Sequence, residues 1–301
     1  MIDYSLRQLE YFAAVARVGS ISEAARSLGV SSAAVAASVG KLEELCQLVL
    51  FDRYPAQGVQ LTPVGRQFLE EAQQVLGQAR HLRSMARGLS EQTSGHLRFG
   101  CYYVLSYLFG PPLLSAHRER WPHVTVEVLE GHTEALGAHL ERGEADLVLS
   151  YGEGLSAERF DLEELVRVKP RVVLPAAHPL ARQKEVALQD LRGIPYLWVR
   201  EPGRQVSFPD MLREAGLDPE IALVSRSYEM VRSCVGRGLG YTLMAFQPPN
   251  PLSYHGDAVV SLPIRDPMPE LRIVLASAKG RMEAPLVRGF AELCRDVVRA
   301  P

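Results

Sequence analysis

Two short helices joined by a tight turn are predicted near the N-terminus, and this arrangement constrains the fold more than any other feature. Ser20 and Glu23 have the spacing of a capping box, which begins a short helix. Gly29 can end that helix, because glycine readily adopts positive φ, and Ser31 or Ser32 then caps the next helix. The buried stripe of this second helix would be Val35, Val39 and Leu42. Two helices within about twenty residues have helix-turn-helix spacing.

A β-hairpin and a long helix are predicted to follow. Two short apolar runs around a tip with proline and glycine, within 50–61, indicate the hairpin, or wing. Thr62 and Pro63 then supply an N-cap and a proline at the first helical position. Apolar residues recur along this helix at alternating steps of four and three: Phe68, Ala72, Val75, Ala79, Leu82, Ala86 and Leu89. The pattern favours a partner helix and therefore a homodimer, although the same face can pack on its own domain.

The rest of the chain alternates between strands and helices. Predicted strands lie at 96–101, 124–130, 145–150, 171–175, 195–199 and 270–276. Predicted helices lie near 108–118, 133–142, 207–215, 228–237 and 286–298. This rhythm indicates an α/β fold with a mainly parallel sheet. Because this alternation restarts with the strand at 171–175, we expect two lobes with a cleft between them.

Composition and charge limit the possible functions. The 301 residues carry a net charge of −2, and residues 1–66 hold six basic and six acidic residues. Binding to nucleic acid must therefore rest on where the charges point. No run approaches about 18 apolar residues, and the first residues contain an early acid, so we expect neither a membrane span nor a secretory signal. Four scattered cysteines without a CxxC pair argue against disulfides or zinc and fit a cytoplasmic protein.

Several stretches of the chain together match the sequence pattern of one protein family. In the N-terminal region the matching stretches are LRQLEYF at 6–12, EAARSL at 23–28, LFDR at 50–53 and LTPVG at 61–65. In the remainder they are GHLRFG at 95–100, EADLVL at 144–149, PAAHPL at 175–180 and VGRGLGY at 235–241. Together these stretches resemble LysR-type transcriptional regulators. The resemblance covers essentially the full chain and is far more specific than a lone helix-turn-helix.

The resemblance implies an α/β protein with an N-terminal winged helix-turn-helix and linker helix, then a two-lobed periplasmic-binding-protein-like effector domain. The expected domains are a DNA-binding domain at 1–65, a dimerisation helix at 66–92 and an effector domain at 93–301. By analogy, lobe 1 spans about 95–165 and 268–301, and lobe 2 spans 166–267. Such a protein is a sequence-specific regulator that binds double-stranded DNA as a homodimer or homotetramer and responds to a small-molecule effector. The alternative is a ligand-binding protein of this fold whose DNA binding is weak or lost.

The second helix of the motif departs from the family pattern. Where relatives have a glutamine and an arginine that contact DNA, this chain has the small residues of SAAVAASV at 32–39. The expected DNA-binding residues are Ser31, Ser32, Ala33, Ala36, Ala37 and Lys41, with Arg53 and Gln57 from the wing. Alanine can contact a thymine methyl group, serine can bond to a base or phosphate, and lysine can neutralise a phosphate.

A ligand site is expected where strand ends and helix N-termini face the cleft between the lobes. The residues expected to converge on the effector are Tyr102, Tyr103, Ser106, Ser150, Tyr151, Arg204 and Tyr228, and Glu201 lies beside them. Tyrosines and an arginine indicate a small aromatic or otherwise flat effector, which Arg204 would hold if it is anionic. The alternatives are that the tyrosines pack internally and that Arg204 forms a surface ion pair.

Enzyme and redox functions find little support in the sequence. The glycines at 236, 238 and 240 resemble a dinucleotide fingerprint, but they follow a predicted helix where the fingerprint should begin one. No Walker, HExxH or GxSxG motif occurs, so we expect no catalytic residues, no metal and no cofactor. A redox sensor would need Cys101 or Cys234 to form a thiolate of low pKa.

Overall fold

The structure is a computed structural model that describes residues 3–54, 58–90, 95–201 and 207–298. The chain divides into two compact units. The N-terminal unit comprises Met1–Gly95 with His139–Glu144, and the C-terminal unit comprises His96–Ala138 with Ala145–Pro301. No helix in the described ranges is long and apolar enough to cross a membrane.

Between residues 3 and 90, the described part of the N-terminal unit contains four helices and a two-stranded hairpin. In chain order these are α1 (Leu6–Val18), α2 (Ile21–Leu28), α3 (Ser32–Cys46), β1 (Phe51–Tyr54), β2 (Gly58–Leu61) and α4 (Pro63–Ser90). Serines cap the first three helices, with the hydroxyls of Ser5, Ser20 and Ser31 each accepting a hydrogen bond from a backbone amide three residues later. The helices α1 and α2 end at Gly19 and Gly29 in the left-handed conformation. The predicted helix-turn-helix is therefore present.

The core of this unit is centred on Phe12. Its fully buried ring lies 5.3 Å from the ring of Phe51 and 5.4 Å from that of Phe68, measured between centroids. The wing is fixed to the turn after α1, because the amide of Val59 donates to the carbonyl of Gly19. Gly58 is required here, since a Cβ atom at this position would lie 2.4 Å from that carbonyl oxygen.

The long helix α4 uses part of its apolar face within its own unit. Ala72 is buried and Phe68 packs against the same core, so the prediction that these two residues face a partner helix is wrong. The helix α4 contacts α1, so this part of its apolar face packs within its own unit, as the alternative interpretation held. Val75 and Leu82 stay 41% and 67% exposed and are available to a partner. The side chains of Ala86 and Leu89 lie outside the described part of the chain.

The first sheet of the C-terminal unit has five strands in the order β4-β3-β5-β12-β6. The strands are β3 (Gly95–Tyr102), β4 (Val124–Gly131), β5 (Leu147–Tyr151), β6 (Phe160–Val168) and β12 (Leu271–Ala278). The accompanying helices are α5 (Tyr103–Arg120), α6 (Thr133–Glu141) and α9 (Pro285–Val297). The helix α5 begins directly after β3, five residues earlier than predicted.

The prediction of a mainly parallel sheet is wrong for this part of the fold. The strands β3 and β5 are parallel, but β12 is antiparallel to both β5 and β6. The chain leaves this sheet after Val168 and re-enters it at Leu271. The returning strand β12 lies between β5 and β6, which gives a mixed sheet.

The second half of the C-terminal unit is built on two smaller sheets. An antiparallel sheet has the order β10-β7-β11, and a parallel pair is formed by β8 and β9. The strands are β7 (Arg171–Pro175), β8 (Tyr196–Val199), β9 (Ile221–Ser225), β10 (Thr242–Met244) and β11 (Val259–Pro263). The helices are α7 (Phe208–Glu214) and α8 (Tyr228–Gly236). A bridge between Tyr196 and Tyr241 joins the two sheets.

Candidate effector and DNA-binding sites

Aromatic side chains gather where the strands of the first sheet end. The strands β3 and β5 are parallel and end at Tyr102 and Tyr151, so both residues lie at the same edge. Their rings meet edge-on, with centroids 4.9 Å apart. The ring of His132, which follows β4, lies 5.7 Å from that of Tyr102 and 4.9 Å from that of Tyr103. Burial lowers the pKa of His132, which favours the neutral imidazole at this edge.

The two predicted serines are engaged within this half of the unit. The hydroxyl of Ser106 donates a hydrogen bond to the carboxylate of Glu130. Ser150 is fully buried, and its hydroxyl lies 2.9 Å from that of Thr133. Both serines hold neighbouring elements together, and neither lines the cavity described next.

A narrow cavity of about 10 Å³ lies between the two halves of the C-terminal unit. It is lined by Val104, Tyr151, Val199, Glu201, Phe208, Tyr228, Leu243, Met244 and Ala245. Its volume is far below the roughly 300–1,000 Å³ of most small-molecule sites, so the two halves would have to move apart to admit a ligand. The lining is mainly apolar, as is usual for such sites, and Glu201 contributes a carboxylate.

Tyr228 closes the cavity from the start of α8. Its hydroxyl donates to the carbonyl of Phe246, and its ring lies 5.5 Å from the ring of Tyr107 on α5. Burial raises the pKa of Tyr228, and the carboxylates of Glu201 and Glu229 raise it further, so the phenol stays neutral. The ring contact joins helices from both halves of the unit across the cleft.

The structure brings some of the predicted effector residues together and separates others. Tyr151 and Tyr228 line the cavity, and Tyr102 packs directly behind Tyr151. Tyr103 is 45% exposed at the start of α5, and Arg204 lies outside the described residues. Sequence reasoning missed Tyr107, His132 and Phe208. Tyr107 had a usable signal, because it lies one helical turn after Tyr103.

The predicted DNA-binding face belongs to α3. Ser32, Ala33, Ala37 and Lys41 are exposed, whereas Ala36 is half-buried. Ser31 is exposed too, but its oxygen accepts from the amide of Ala34 as the N-cap. The ammonium group of Lys41 lies 2.9 Å from the carboxylate of Glu44, which reduces its net charge toward DNA. Of the two wing residues, the side chain of Arg53 and all of Gln57 lie outside the described part.

Sequence comparisons assign both parts of the chain to one family. The model described as "LysR substrate binding domain" matches residues 90–299. The model described as "Bacterial regulatory helix-turn-helix protein, lysR family" matches residues 6–66. The chain belongs to the LysR family. This LysR-family protein is a DNA-binding transcription regulator with an effector-binding domain, as the resemblance implied.

Individual relatives of this LysR-family regulator match along most of their length. It is 28% identical to the Hca operon transcriptional activator HcaR of Escherichia coli over 97% of each chain. It is 27% identical to the transcriptional dual regulator GltC of Bacillus subtilis over 95% of each chain. Among solved structures, HinK, a LysR family regulator from Pseudomonas aeruginosa, is 29% identical over 98% of each chain, with a TM-score of 0.63.

Two features of the LysR-family regulator that had suggested other functions have structural explanations. The glycine-rich run follows α8 and leads into β10, and a Cβ atom on Gly240 would lie 2.1 Å from the carbonyl oxygen of Pro195. Burial raises the pKa of Cys101 and of Cys294, so the thiolate of low pKa that a redox sensor needs is not expected at Cys101.

Proposed function

We propose that this LysR-family regulator binds duplex DNA through α3 and the wing, and that a small molecule in the cleft changes this binding. The observation that carries the proposal is a helix-turn-helix with an exposed second helix, followed by an α/β unit with an aromatic cavity. We propose the domain boundaries 1–65, 66–92 and 93–301, with lobe 1 at 95–165 and 268–301 and lobe 2 at 166–267. The cytoplasm, where bacterial DNA lies, is its proposed compartment.

For the DNA interface we propose Ser31, Ser32, Ala33, Ala36, Ala37, Lys41, Arg53 and Gln57. On α3 none of these side chains can make the bidentate contact that is worth about 1–3 kcal/mol of discrimination per base. Binding would depend on phosphate contacts, on apolar contact with thymine methyl groups, and on the presence of two or four copies of the motif. The exposed Val75 and Leu82 on α4 support a homodimer or homotetramer.

For the effector site we propose Tyr102, Tyr103, Ser106, Ser150, Tyr151, Arg204 and Tyr228. Tyr151 and Tyr228 would contact the effector, and Ser106 and Ser150 would hold the surrounding elements in place. A ligand that contacts both lobes stabilises one arrangement of the lobes over the other. We propose that this shift alters the spacing of the DNA-binding domains and that the effector leaves the protein chemically unchanged.

A second candidate function is ligand binding with weak DNA affinity. The ion pair between Lys41 and Glu44 favours it, because it partly neutralises the one basic residue proposed on α3. The two candidates differ in the strength of DNA binding, which can be measured directly.

Replacing Ala37 by arginine should strengthen DNA binding if α3 faces the duplex. Ala37 is exposed, so the substitution adds a charge without disturbing the core. Each added phosphate contact should steepen the dependence of log affinity on log salt by about 0.9 and tighten binding several-fold at low salt. Fluorescence anisotropy with duplex DNA across a salt series measures both quantities.

The matched control is Ala135→Arg, which makes the same charge change at an exposed residue of α6. It should leave the salt dependence near that of the wild type. If Ala37→Arg behaves like this control, α3 does not meet DNA and the proposed interface is wrong.

A further inference from the structure

A second cavity, of about 450 Å³, lies within the second half of the C-terminal unit. Its volume falls within the roughly 300–1,000 Å³ of most small-molecule sites. We call it the loop cavity, and it is lined by Leu191, Arg192, Gly193, Ile194, Gly216, Leu217, Asp218, Pro219, Glu220 and Tyr241. None of these residues lines the narrow cavity at the cleft.

Two loops that precede parallel strands form most of the loop cavity. The loop 192–195 runs from a short 3₁₀ helix (Leu188–Leu191) into β8, and the loop 215–220 runs from α7 into β9. Because β8 and β9 are parallel, both loops lie at the edge where these strands begin. The narrow cavity is lined by Val199, where β8 ends. The two cavities therefore lie at opposite ends of β8, on the order of 10 Å apart.

The loop cavity has an apolar wall that is already in place. Its buried lining residues are Leu191, Leu217, Pro219 and Tyr241, and Ile194 is half-buried. The ring of Tyr241 lies 5.1 Å from the ring of Tyr196, and its backbone amide donates to the carbonyl of Pro195. The amide of Tyr196 donates in turn to the carbonyl of Glu220, which fixes the two loops against each other.

Two opposite charges without partners lie at the exposed side of the loop cavity. Arg192 and Glu220 are exposed, and within the described part of the chain neither side chain forms a hydrogen bond or an ion pair. The third charged lining residue, Asp218, is already engaged, because its carboxylate lies 3.0 Å from the guanidinium of Arg213. The loop cavity thus offers a ligand one guanidinium and one carboxylate.

These two charges favour a ligand that carries both a carboxylate and an ammonium group. The guanidinium of Arg192 can bind a carboxylate through two parallel hydrogen bonds, and the carboxylate of Glu220 can accept from an ammonium group. A ligand with a single charge would satisfy one of the two residues and be repelled by the other. The apolar wall suits an uncharged aliphatic group on the same ligand.

We propose that the loop cavity is a second ligand site, separate from the effector cleft, and that it binds a free α-amino acid with an aliphatic side chain. Arg192 holds the carboxylate of the amino acid and Glu220 holds its ammonium group. The side chain of the amino acid lies against Leu217 and Tyr241. The inference goes beyond the proposed function and does not depend on it.

Three probes with related carbon skeletons test the proposal. They are L-leucine, 3-methylbutylamine, which lacks the carboxylate, and 4-methylpentanoate, which lacks the ammonium group. Each is titrated calorimetrically into the full-length wild type, the cavity variants Arg192→Gln and Glu220→Gln, and two controls. The controls, Arg118→Gln and Glu119→Gln, make the same charge changes at exposed residues of α5. Circular dichroism checks that every variant is folded.

L-Leucine should bind the wild type and the controls equally, and it should bind each cavity variant at least about tenfold more weakly, which corresponds to about 1.4 kcal/mol. The two probes with a single charge should bind the wild type at least about tenfold more weakly than L-leucine. The proposal is wrong if a cavity variant binds L-leucine as tightly as the wild type, or if a probe with a single charge does as well as L-leucine. Absence of L-leucine binding to the wild type at millimolar concentration would also overturn it.

Discussion

Replacing Phe12 by alanine is expected to destabilise the N-terminal unit by about 3–5 kcal/mol, the usual cost of removing a fully buried phenylalanine ring. The Phe12 ring contacts both Phe51 at the start of the wing and Phe68 on α4. Its loss therefore leaves a cavity at the point where the wing and the long helix join the helix-turn-helix. Because such a loss is a large fraction of a typical domain's stability, DNA binding should be lost with it.

Urea unfolding followed by circular dichroism, together with DNA binding at low urea, measures this effect. Phe12→Leu is the control, since it keeps most of the buried volume and should cost much less. The C-terminal unit has its own core, so its unfolding transition should stay in place in both variants. If the N-terminal unit of Phe12→Ala unfolded at the same urea concentration as that of the wild type, the assigned core would be wrong.

The second large effect is expected at Asp146, which is buried in the C-terminal unit between two arginines. One carboxylate oxygen accepts from the amide of Arg98 at 2.8 Å, and the other accepts from the guanidinium of Arg98 at 3.0 Å and from that of Arg281. Asp146→Ala would leave the buried charge of Arg281 without this carboxylate. Breaking such a network usually costs about 3–5 kcal/mol, because the remaining charge stays buried.

The matched control for Asp146 is Asp218→Ala, which removes a carboxylate that pairs with Arg213 on the surface. An exposed pair of this kind contributes little, so the control should unfold at nearly the wild-type urea concentration. The comparison distinguishes the stability lost when a buried ion pair is broken from that lost when an exposed pair is broken. Equal stability of the two variants would show that the Asp146 network does not hold this half of the fold together.

Local chemistry made the N-terminal unit predictable. A serine cap involves residues only three apart, and a glycine that ends a helix does so through its own φ angle. These signals placed α1, α2 and α3 within a few residues of their observed bounds. The partner of α4 was harder to predict, because its apolar residues divide between the core of its own unit, where Phe68 packs, and exposed positions such as Leu82.

Long-range pairing explains what the sequence did not reveal in the C-terminal unit. The strand β6 carries charged residues along much of its length, which hides its alternation, and its place is set by pairing with β12 more than a hundred residues later. The start of α5 was missed because Tyr103 and Val104 favour strands, whereas the sheet ends at Tyr102. Tertiary contact overrides local preference at both places.

The same distinction applies to the candidate site. Tyr151 and Tyr228 were predicted to face the cleft because strand ends and helix starts are usual positions for ligand contacts, and both line the cavity. The sequence placed Glu201 near the cleft but could not show which of the other described residues line the same cavity. That lining comes from residues far apart in the sequence, which only the folded chain brings together.

The central claim, that α3 is presented to duplex DNA, is tested most directly by selecting bound fragments from the host genome with purified full-length protein at low salt. The wild type is compared with a double variant, Ala33→Glu with Ala37→Glu, at two exposed positions that leave the core intact. We predict that the wild type enriches a small set of fragments and that the double variant, folded by circular dichroism, enriches none. Equal enrichment by both proteins, or no enrichment by the wild type, would contradict the claim.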